Sequence, residues 1–264
     1  MLKINKLRDK SLRDKSLIIA CLLVSGVIVV FKKDIFLFSK PSAQTHHEIY
    51  RFNDLIPFID KETMVICDLD NTVMIPEKYE GSDMWFSYHM KHHQNKGSSY
   101  ADALAIVLPE YARLQKIITV KPVEPEIPHH IKKWQSEGIC VMGLTSRGDP
   151  VISETIDLLR SITVHFAATA PACSPQTSFI MDNTPVMYKE GILFCTVADK
   201  GTALVQFLRA TNIPAKIVFV DDTLSKVISV TKALEKLKTE GHNFTYRCFH
   251  YRHLDEHIAT LPKN

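Results

Sequence analysis

Beyond about residue 60, the chain contains short apolar runs that end abruptly at polar side chains. Runs of this length, bounded by turns, are typical of buried parallel strands in an α/β sheet. The carboxyl ends of such strands form the edge at which open α/β sheets bind ligands, so we expect the polar side chains to meet there. The three clearest cases are Val65–Cys67 followed by Asp68 and Asp70, Ile139–Leu144 followed by Thr145, Ser146 and Arg147, and Ile217–Val220 followed by Asp221 and Asp222.

Helical periodicity fills segments between these runs. Leu204, Phe207 and Leu208 fall on one face of a helix that Asp199 would cap at its start. Lys200 would then lie in the first turn, where the helix dipole disfavours a cation unless an anion faces it. Further helices are predicted over His129–Glu137, from Asp149-Pro150 to about Arg160 and over Leu224–Leu237, with a last strand over Phe244–Phe249.

Asp68 and Asp70 are the most informative pair of residues. Two carboxylates one residue apart repel each other unless a cation, a positive side chain or a proton lies between them. Such pairs are common in solvated turns, but the position at the end of an apolar strand favours a site, with a bound metal as its simplest occupant. An EF-hand calcium loop fits poorly, because Val73 stands where that loop needs glycine. The hydroxyls, guanidinium and turn amides of Thr145–Arg147 are phosphate-binding groups.

The order of these features along the chain is more specific than any one of them. The chain presents strand-Asp-x-Asp-x-Thr at Asp68–Thr72, strand-Thr-Ser at Thr145, Lys200 at a helix start and strand-Asp-Asp at Asp221. In this form and order it resembles the haloacid dehalogenase (HAD) superfamily of phosphohydrolases. The segment Gly81–Phe86 and the Thr-Ser-Arg second motif look like the acid-phosphatase branch, and more narrowly like a bacterial HAD-like family of unknown function, which supplies no substrate.

The resemblance implies a fold and a set of catalytic roles. The fold is α/β, a Rossmann-like three-layer HAD core with a parallel central sheet and a mainly helical cap inserted between motifs one and two. Asp68 matches the nucleophile that forms an aspartyl-phosphate, and Asp70 matches the general acid and base. Thr145 matches the hydroxyl that holds the transferring phosphoryl group, with Ser146 beside it. Lys200 matches the lysine that screens the nucleophile from the phosphate charge.

The same resemblance implies a Mg²⁺ cofactor. Asp221 and Asp222 match the acidic pair of the metal site, with Asp222 expected to bind directly and Asp221 directly or through water. Asp68 and the backbone carbonyl of Asp70 would complete the site. A hard, oxygen-liganded cation and a lysine offset the repulsion between an anionic nucleophile and an anionic phosphate. Because carbon–halogen cleavage in this superfamily uses no acid at the position of Asp70, that residue favours a phosphatase.

The expected activity is therefore Mg²⁺-dependent hydrolysis of a small phosphorylated substrate. Two alternatives stay open. The chain could be a HAD-fold binding protein or secreted effector in which turnover is incidental, although the complete set of motifs favours an enzyme. It could also be a phosphotransferase or mutase, which would use the same residues and differ only in the acceptor.

The pattern breaks between about residues 74 and 124, where the sequence is rich in aromatic residues and histidine. This placement matches the cap that HAD proteins insert over the active site. Trp85, Phe86 and Tyr88 are interpreted as cap core in preference to a substrate-stacking wall. The histidines at residues 89, 92, 93, 129 and 130 suggest zinc at first sight, but no carboxylate or cysteine falls at zinc-ligand spacing nearby, so zinc is not predicted.

The amino terminus predicts export. Six Lys or Arg residues fall within the first fifteen, and an apolar stretch from Leu17 to Phe31 precedes Lys32-Lys33. This arrangement is typical of a secretory signal, or of a membrane anchor slightly shorter than a full span. We assign residues 1–40 to this leader or anchor plus a linker, and residues 41–264 to the catalytic domain. The expected location is the bacterial periplasm or envelope, or the exterior.

Charge and cysteine content narrow the range of partners. Residues 1–40 carry nine Lys or Arg against three Asp, a net of +6, which leaves −3 for the rest of a chain whose total is +3. A nucleic-acid surface would need a clustered basic stripe, so no nucleic-acid partner is expected, and membrane contact is expected only through the amino-terminal segment.

The cysteines predict no disulfide framework. Cys67 and Cys140 lie in buried-strand patterns, where cysteine behaves as a small apolar residue. A disulfide between Cys173 and Cys195 stays open, as does the oligomeric state.

Overall fold

The computed structural model describes residues 20–24, 27–31, 46–172, 177–181 and 184–256. The chain divides into two compact units, residues 1–44 and residues 45–264. In the first unit, β1 (Ala20–Val24) and β2 (Val27–Phe31) form an antiparallel pair. These strands occupy much of the apolar stretch that the sequence assigns to a signal or anchor. Across the described residues, none of the helices combines the length and the apolar character needed to cross a membrane.

The described part of the second unit is built around one eight-stranded sheet and six helices. A smaller two-stranded sheet pairs β5 with β6. The strands are β3 (His47–Ile49), β4 (Thr63–Cys67), β5 (Met74–Pro76), β6 (Val120–Pro122), β7 (Cys140–Thr145), β8 (Thr177–Met181), β9 (Thr184–Lys189), β10 (Ile192–Phe194), β11 (Lys216–Asp221) and β12 (Thr245–Tyr251), and the helices are α1 (Asp83–Asn95), α2 (Tyr100–Gln115), α3 (Ile127–Ser136), α4 (Ile152–Ser161), α5 (Lys200–Ala210) and α6 (Leu224–Thr239).

The large sheet is mostly parallel. Its strand order is β3-β12-β11-β4-β7-β10-β9-β8, and every neighbouring pair from β3 to β10 is parallel. At the far edge β9 and β8 continue the sheet in antiparallel fashion, an extension that the sequence pattern did not predict. The predicted α/β, Rossmann-like fold with a parallel central sheet is confirmed, and the strands nearest its centre are those of the apolar runs.

Helices cover both faces of the sheet, because successive side chains of a buried strand point in opposite directions. In β4, Val65 and Cys67 belong to the apolar core shared with α3 and α4. Met64 and Ile66 belong to a second core shared with α5 and α6. Helices α5 and α6 approach closely at Gly201, where an added Cβ would lie only 2.5 Å from the carbonyl oxygen of Ser229. The fold therefore has three layers.

A helical insertion interrupts the chain between β4 and β7, which are neighbours in the parallel sheet. Helices α1 and α2 follow β5 and precede β6, so the antiparallel β5–β6 pair closes the base of the insertion. Met90, Ala103 and Val107 form a small core between the two helices, and Trp85 and Phe86 pack against it. The interpretation of Trp85 and Phe86 as core of the insertion is confirmed, whereas it is wrong for Tyr88, whose side chain is exposed because it lies on the outer face of α1.

The predicted elements around the candidate site are confirmed. Helix α5 begins at Lys200, and its N-cap Asp199 accepts a hydrogen bond from the backbone N–H of Thr202 at 2.8 Å. Cys195 is a buried free thiol, as are Cys67 and Cys248. The disulfide considered for Cys195 is therefore absent, and the other cysteine considered for it, at position 173, lies outside the described residues.

Candidate functional site

The ends of β4 and β11 bring three carboxylates together. These strands are parallel neighbours, Cys67 pairs with Val220, and the Asp68 N–H donates to the Val220 carbonyl at 2.9 Å. Asp221 and Asp222 therefore leave the sheet beside Asp68. One carboxylate oxygen from each of these three aspartates lies within 4.8 Å of the others. The carboxylates of Asp68, Asp221 and Asp222 therefore lie close together, as the sequence predicts.

Lys200 lies among these carboxylates. Its Nζ donates to Asp68 Oδ1 at 2.5 Å and to Asp221 Oδ2 at 2.7 Å, and its side chain is almost completely buried. Burial opposes a charged amine, but the carboxylates of Asp221 and Asp68 hold the pKa of Lys200 above its ordinary value. These anions also explain why a cation is stable in the first turn of α5. We call Asp68, Asp221, Asp222 and Lys200 the acidic site.

Thr72 connects the two carboxylate-bearing loops of the acidic site. Its buried hydroxyl donates to Asp68 Oδ2 at 3.2 Å and accepts from the Asp222 N–H at 3.1 Å. The turn that places it passes through Asn71, whose φ of 59° is in the left-handed region that asparagine tolerates. The sequence pattern contained Thr72 as part of a motif but assigned it no partner, because the partner at Asp222 is 150 residues away.

The acidic site holds more negative than positive charge. Burial and the neighbouring carboxylate of Asp221 raise the pKa of Asp68. Burial, followed by the charges of Asp68 and Asp221, raises the pKa of Asp222 to about 9. Three carboxylates facing one ammonium group would be balanced by a further cation, and carboxylate oxygens are the donors that Mg²⁺ prefers. The donor set of this site therefore fits Mg²⁺.

Asp70 points to a different partner, Arg147. The guanidinium donates two parallel hydrogen bonds, from Nε to Asp70 Oδ2 and from Nη2 to Asp70 Oδ1, both at 2.8 Å. Arg147 is buried, and its backbone N–H donates to the hydroxyl of Thr145 at 3.1 Å. This bidentate geometry restricts the orientation of the Asp70 carboxylate. The sequence indicated Arg147 only as a phosphate-binding group, and no local signal pairs it with Asp70.

The helical insertion contacts Asp70 through Arg147. Gln115, the last residue of α2, accepts a hydrogen bond from Arg147 Nη1 at 2.8 Å and donates to the Gly81 carbonyl at 2.7 Å. The guanidinium also lies 5.7 Å from the centre of the Tyr111 ring. The position of Arg147 therefore depends on α2 as well as on the loop after β7.

The seven residues predicted for the site fall into two groups. The acidic site contains four of them: Lys200 contacts Asp68 and Asp221 directly, and an oxygen of Asp222 lies within 4.8 Å of oxygens of both aspartates. Thr145 is buried at the end of β7 and Ser146 beside it is exposed, and in the described part of the chain neither forms a hydrogen bond with Asp68. Asp70 and Ser146 instead line a cavity of about 220 Å³ between the insertion and the loop after β7.

The chain is similar to a solved structure, to two chlamydial proteins and to one protein family. A structure described as a "putative beta-phosphoglucomutase from Thermotoga maritima" matches with a TM-score of 0.36 and 15% identity, over 75% of this chain and 100% of that chain. A Chlamydia pneumoniae protein named "Putative outer membrane protein" is 28% identical over 193 residues, which are 73% of this chain and 72% of that protein. A Chlamydia trachomatis protein of the same name is 24% identical over 190 residues, 72% of this chain and 69% of that protein. Residues 45–264 match the family described as "Protein of unknown function (DUF2608)", and the chain therefore belongs to that family.

Proposed function

We propose that this protein is a Mg²⁺-dependent phosphomonoesterase of HAD type that acts through an aspartyl-phosphate on Asp68. The observation that carries the proposal is the position of Lys200, whose Nζ lies 2.5 Å from Asp68 and 2.7 Å from Asp221. A carboxylate nucleophile needs nearby positive charge before it can approach an anionic phosphate. The order of the four motifs along the chain supports the same assignment.

The acidic site would hold the Mg²⁺. Carboxylate oxygens of Asp68, Asp221 and Asp222 would be its ligands, together with the backbone carbonyl of Asp70. When bound, the ion would supply positive charge that stabilises the phosphoryl oxygens during transfer. Asp221 accepts hydrogen bonds from Lys200 and from the Thr223 N–H, whereas Asp222 accepts one from the Thr223 hydroxyl at 3.3 Å, so Asp222 would serve more readily as a direct ligand.

Asp68 would act first as the nucleophile. One of its oxygens forms a bond to phosphorus as the bond between phosphorus and the leaving alcohol oxygen breaks, which gives an acyl phosphate. Lys200 lowers the repulsion between the carboxylate and the phosphate. The Thr72 hydroxyl, 3.2 Å from Asp68 Oδ2, keeps the nucleophile oriented, and Thr145 and Ser146 would hold the transferring group.

Asp70 would act as the general acid and then as the general base. In the first step its carboxylic acid protonates the leaving oxygen, and in the second step its carboxylate takes a proton from water as that water attacks phosphorus. The second attack breaks the bond between phosphorus and Asp68, releases inorganic phosphate and restores the carboxylate. Arg147 is a positioning residue in this scheme, because in the free protein it holds the Asp70 carboxylate in a bidentate ion pair, and this pair would open when Asp70 takes up the proton that it donates in the first step.

The test uses the full chain and p-nitrophenyl phosphate with either Mg²⁺ or EDTA. The proposal expects hydrolysis in Mg²⁺, none in EDTA, and reduction of the peptide that carries Asp68 when borohydride is added during turnover, because borohydride reduces acyl phosphates. Hydrolysis that survives in EDTA, or a rate that Asp68→Asn leaves unchanged, would overturn the proposal. Transfer of the phosphoryl group to an alcohol in place of water would show that the protein is a phosphotransferase.

Export to the bacterial envelope is the location that fits this activity. The basic start and the apolar stretch of the amino-terminal segment predict export, and the chlamydial relatives are named as outer membrane proteins. We propose that the catalytic unit, residues 45–264, hydrolyses a small phosphorylated substrate in that compartment, without a nucleic-acid partner. Fractionation of cells that express the full chain tests the location, since recovery in the cytosol would contradict it.

A further inference from the structure

Helix α2 has two apolar faces, one buried in the small core of the insertion and a second that is covered only in part, since Leu104 packs against that core and the Tyr111 ring lies 5.0 Å from the Phe86 ring. Ala103 and Val107 are buried against Met90 of α1. The second face consists of residues three or four positions apart, which places them on one side of the helix. These are Tyr100, Leu104, Leu108 and Tyr111, and all four line the cavity of about 220 Å³.

The other walls of this cavity mix apolar and polar side chains, and the polar ones are Asp70, Asp83, Ser146, Arg147, Thr196 and Lys226. Phe86 contributes from α1, and Val151 contributes from the segment before α4. Tyr100 and Val197 are each about half exposed, at 51% and 50%, although both are large apolar side chains. Apolar surface that remains uncovered inside a concave site is typical of a ligand-binding pocket.

The position of the cavity relative to the proposed chemistry indicates its role. Of the seven predicted site residues, Asp70 and Ser146 line it, and none of the residues of the acidic site does. Asp70 is the residue that would protonate the leaving oxygen. In an in-line displacement the leaving oxygen lies across phosphorus from Asp68 and within reach of Asp70, and the cavity occupies space beside Asp70.

We infer that this cavity binds the leaving group and that the substrate is the phosphomonoester of a small aromatic alcohol, an inference that rests on the proposed function. A dry cavity of about 150 Å³ is known to hold a benzene molecule, so about 220 Å³ suits one ring or two fused rings. Phe86 and Tyr111 supply aromatic surface for such a ring. Asp83 and Lys226, which also line the cavity, can bind a polar substituent.

The test compares two unreactive phosphonates, so that leaving-group reactivity has no influence. Binding of benzylphosphonate and methylphosphonate to the full chain is measured by calorimetry in Mg²⁺. We expect benzylphosphonate to bind roughly 10- to 100-fold more tightly, because only its ring can cover the apolar walls. Leu108→Asn should remove most of this preference. Ile106→Asn is the matched control, since Ile106 lies on the same helix, is 53% exposed and does not line the cavity.

The outcomes separate this inference from the proposed function. Equal affinity for the two phosphonates, or a ring preference that Leu108→Asn leaves intact, overturns the inference even if Mg²⁺-dependent hydrolysis of the compact substrate acetyl phosphate persists. Ring-selective binding without hydrolysis of acetyl phosphate or phenyl phosphate overturns both the proposed function and the leaving-group role. Thermal unfolding of both variants verifies that the Asn substitutions leave the protein folded.

Discussion

The acidic site and the Asp70–Arg147 pair lie at the same edge of the sheet but differ in how their charges are balanced. In the acidic site, the ammonium group of Lys200 contacts Asp68 and Asp221, and Asp222 adds a third carboxylate within 4.8 Å of them. In the Asp70–Arg147 pair, one guanidinium satisfies one carboxylate through two hydrogen bonds. The first arrangement has more carboxylates than ammonium groups and would be balanced by the proposed Mg²⁺, whereas the second pairs one carboxylate with one guanidinium.

The two regions also depend on different parts of the chain. The residues of the acidic site follow β4 and β11 directly or begin α5, so the core of the fold places them. Arg147 is held by Gln115 of the insertion and by Thr155 of α4, at 2.8 and 3.2 Å. We therefore expect the acidic site to respond to metal and pH, and the Asp70–Arg147 pair to respond to changes in the insertion.

The largest expected effect comes from removing the nucleophile of the acidic site. Asp68→Asn should lower the rate of phosphate-ester hydrolysis by roughly 1000-fold or more, because an amide oxygen is a poor nucleophile. The rate with p-nitrophenyl phosphate is the measurement. Asp157→Asn, at an exposed position of α4, is the control. A rate within tenfold of the unchanged protein would show that Asp68 is not the nucleophile.

The next effect concerns stability and tests whether Lys200 balances the carboxylates. Lys200→Met should lower the free energy of unfolding by about 3–5 kcal/mol, the usual cost of leaving buried charges unpaired, and Mg²⁺ should restore part of it. Urea unfolding with and without Mg²⁺ measures both quantities. Lys216→Met is the matched control, because the Lys216–Asp60 ion pair is partly exposed to solvent and should contribute less than a buried pair. Equal losses in the two variants would contradict the proposed charge balance.

The pH dependence of stability should distinguish the two regions. The folded state raises the pKa of Asp222 from 3.8 to about 9, so between these values the folded protein holds more protons than the unfolded chain. Stability that is present near pH 4 is then lost as the pH rises. In EDTA we expect the free energy of unfolding to fall by at least about 1 kcal/mol between pH 5 and pH 8.

Mg²⁺ should reduce this fall in the free energy of unfolding, because a bound cation stabilises the carboxylate form of the acidic site. Urea unfolding at several pH values, in Mg²⁺ and in EDTA, is the measurement. The Asp222→Asn variant should show a weaker dependence in EDTA. Stability that increases with pH in EDTA would mean that another positive charge already balances the three carboxylates.

The smallest expected effect concerns the insertion. Gln115→Met removes the hydrogen bond to Arg147 and should lower kcat by roughly 10-fold through misplacement of Asp70, while stabilisation by Mg²⁺ stays unchanged. Gln94→Met, at an exposed position of α1, is the control. A change in Mg²⁺ stabilisation without a change in kcat would mean that Gln115 acts on the acidic site and not on Asp70.

Prediction from the sequence succeeded where the signal is local. The apolar runs gave β4, β7 and β11, and the cap residue Asp199 gave the start of α5 at Lys200. Strands β3, β5, β6, β8, β9 and β10 were not predicted. Of these, β3 and β8 lie at the edges of the large sheet, where a strand is covered on one side only and its formation depends on pairing with a distant segment.

The sequence by itself determined which chemical groups stand at the strand ends, because the end of a buried run can be recognised from consecutive residues. The tertiary structure alone decided how these groups are shared. Thr72 bridges Asp68 to Asp222, and Arg147 bridges Asp70 to Gln115, through contacts between residues 32 to 150 positions apart. Such contacts arise when strands pair and the insertion packs, and side-chain hydrogen bonds across those distances leave no periodic pattern in the sequence.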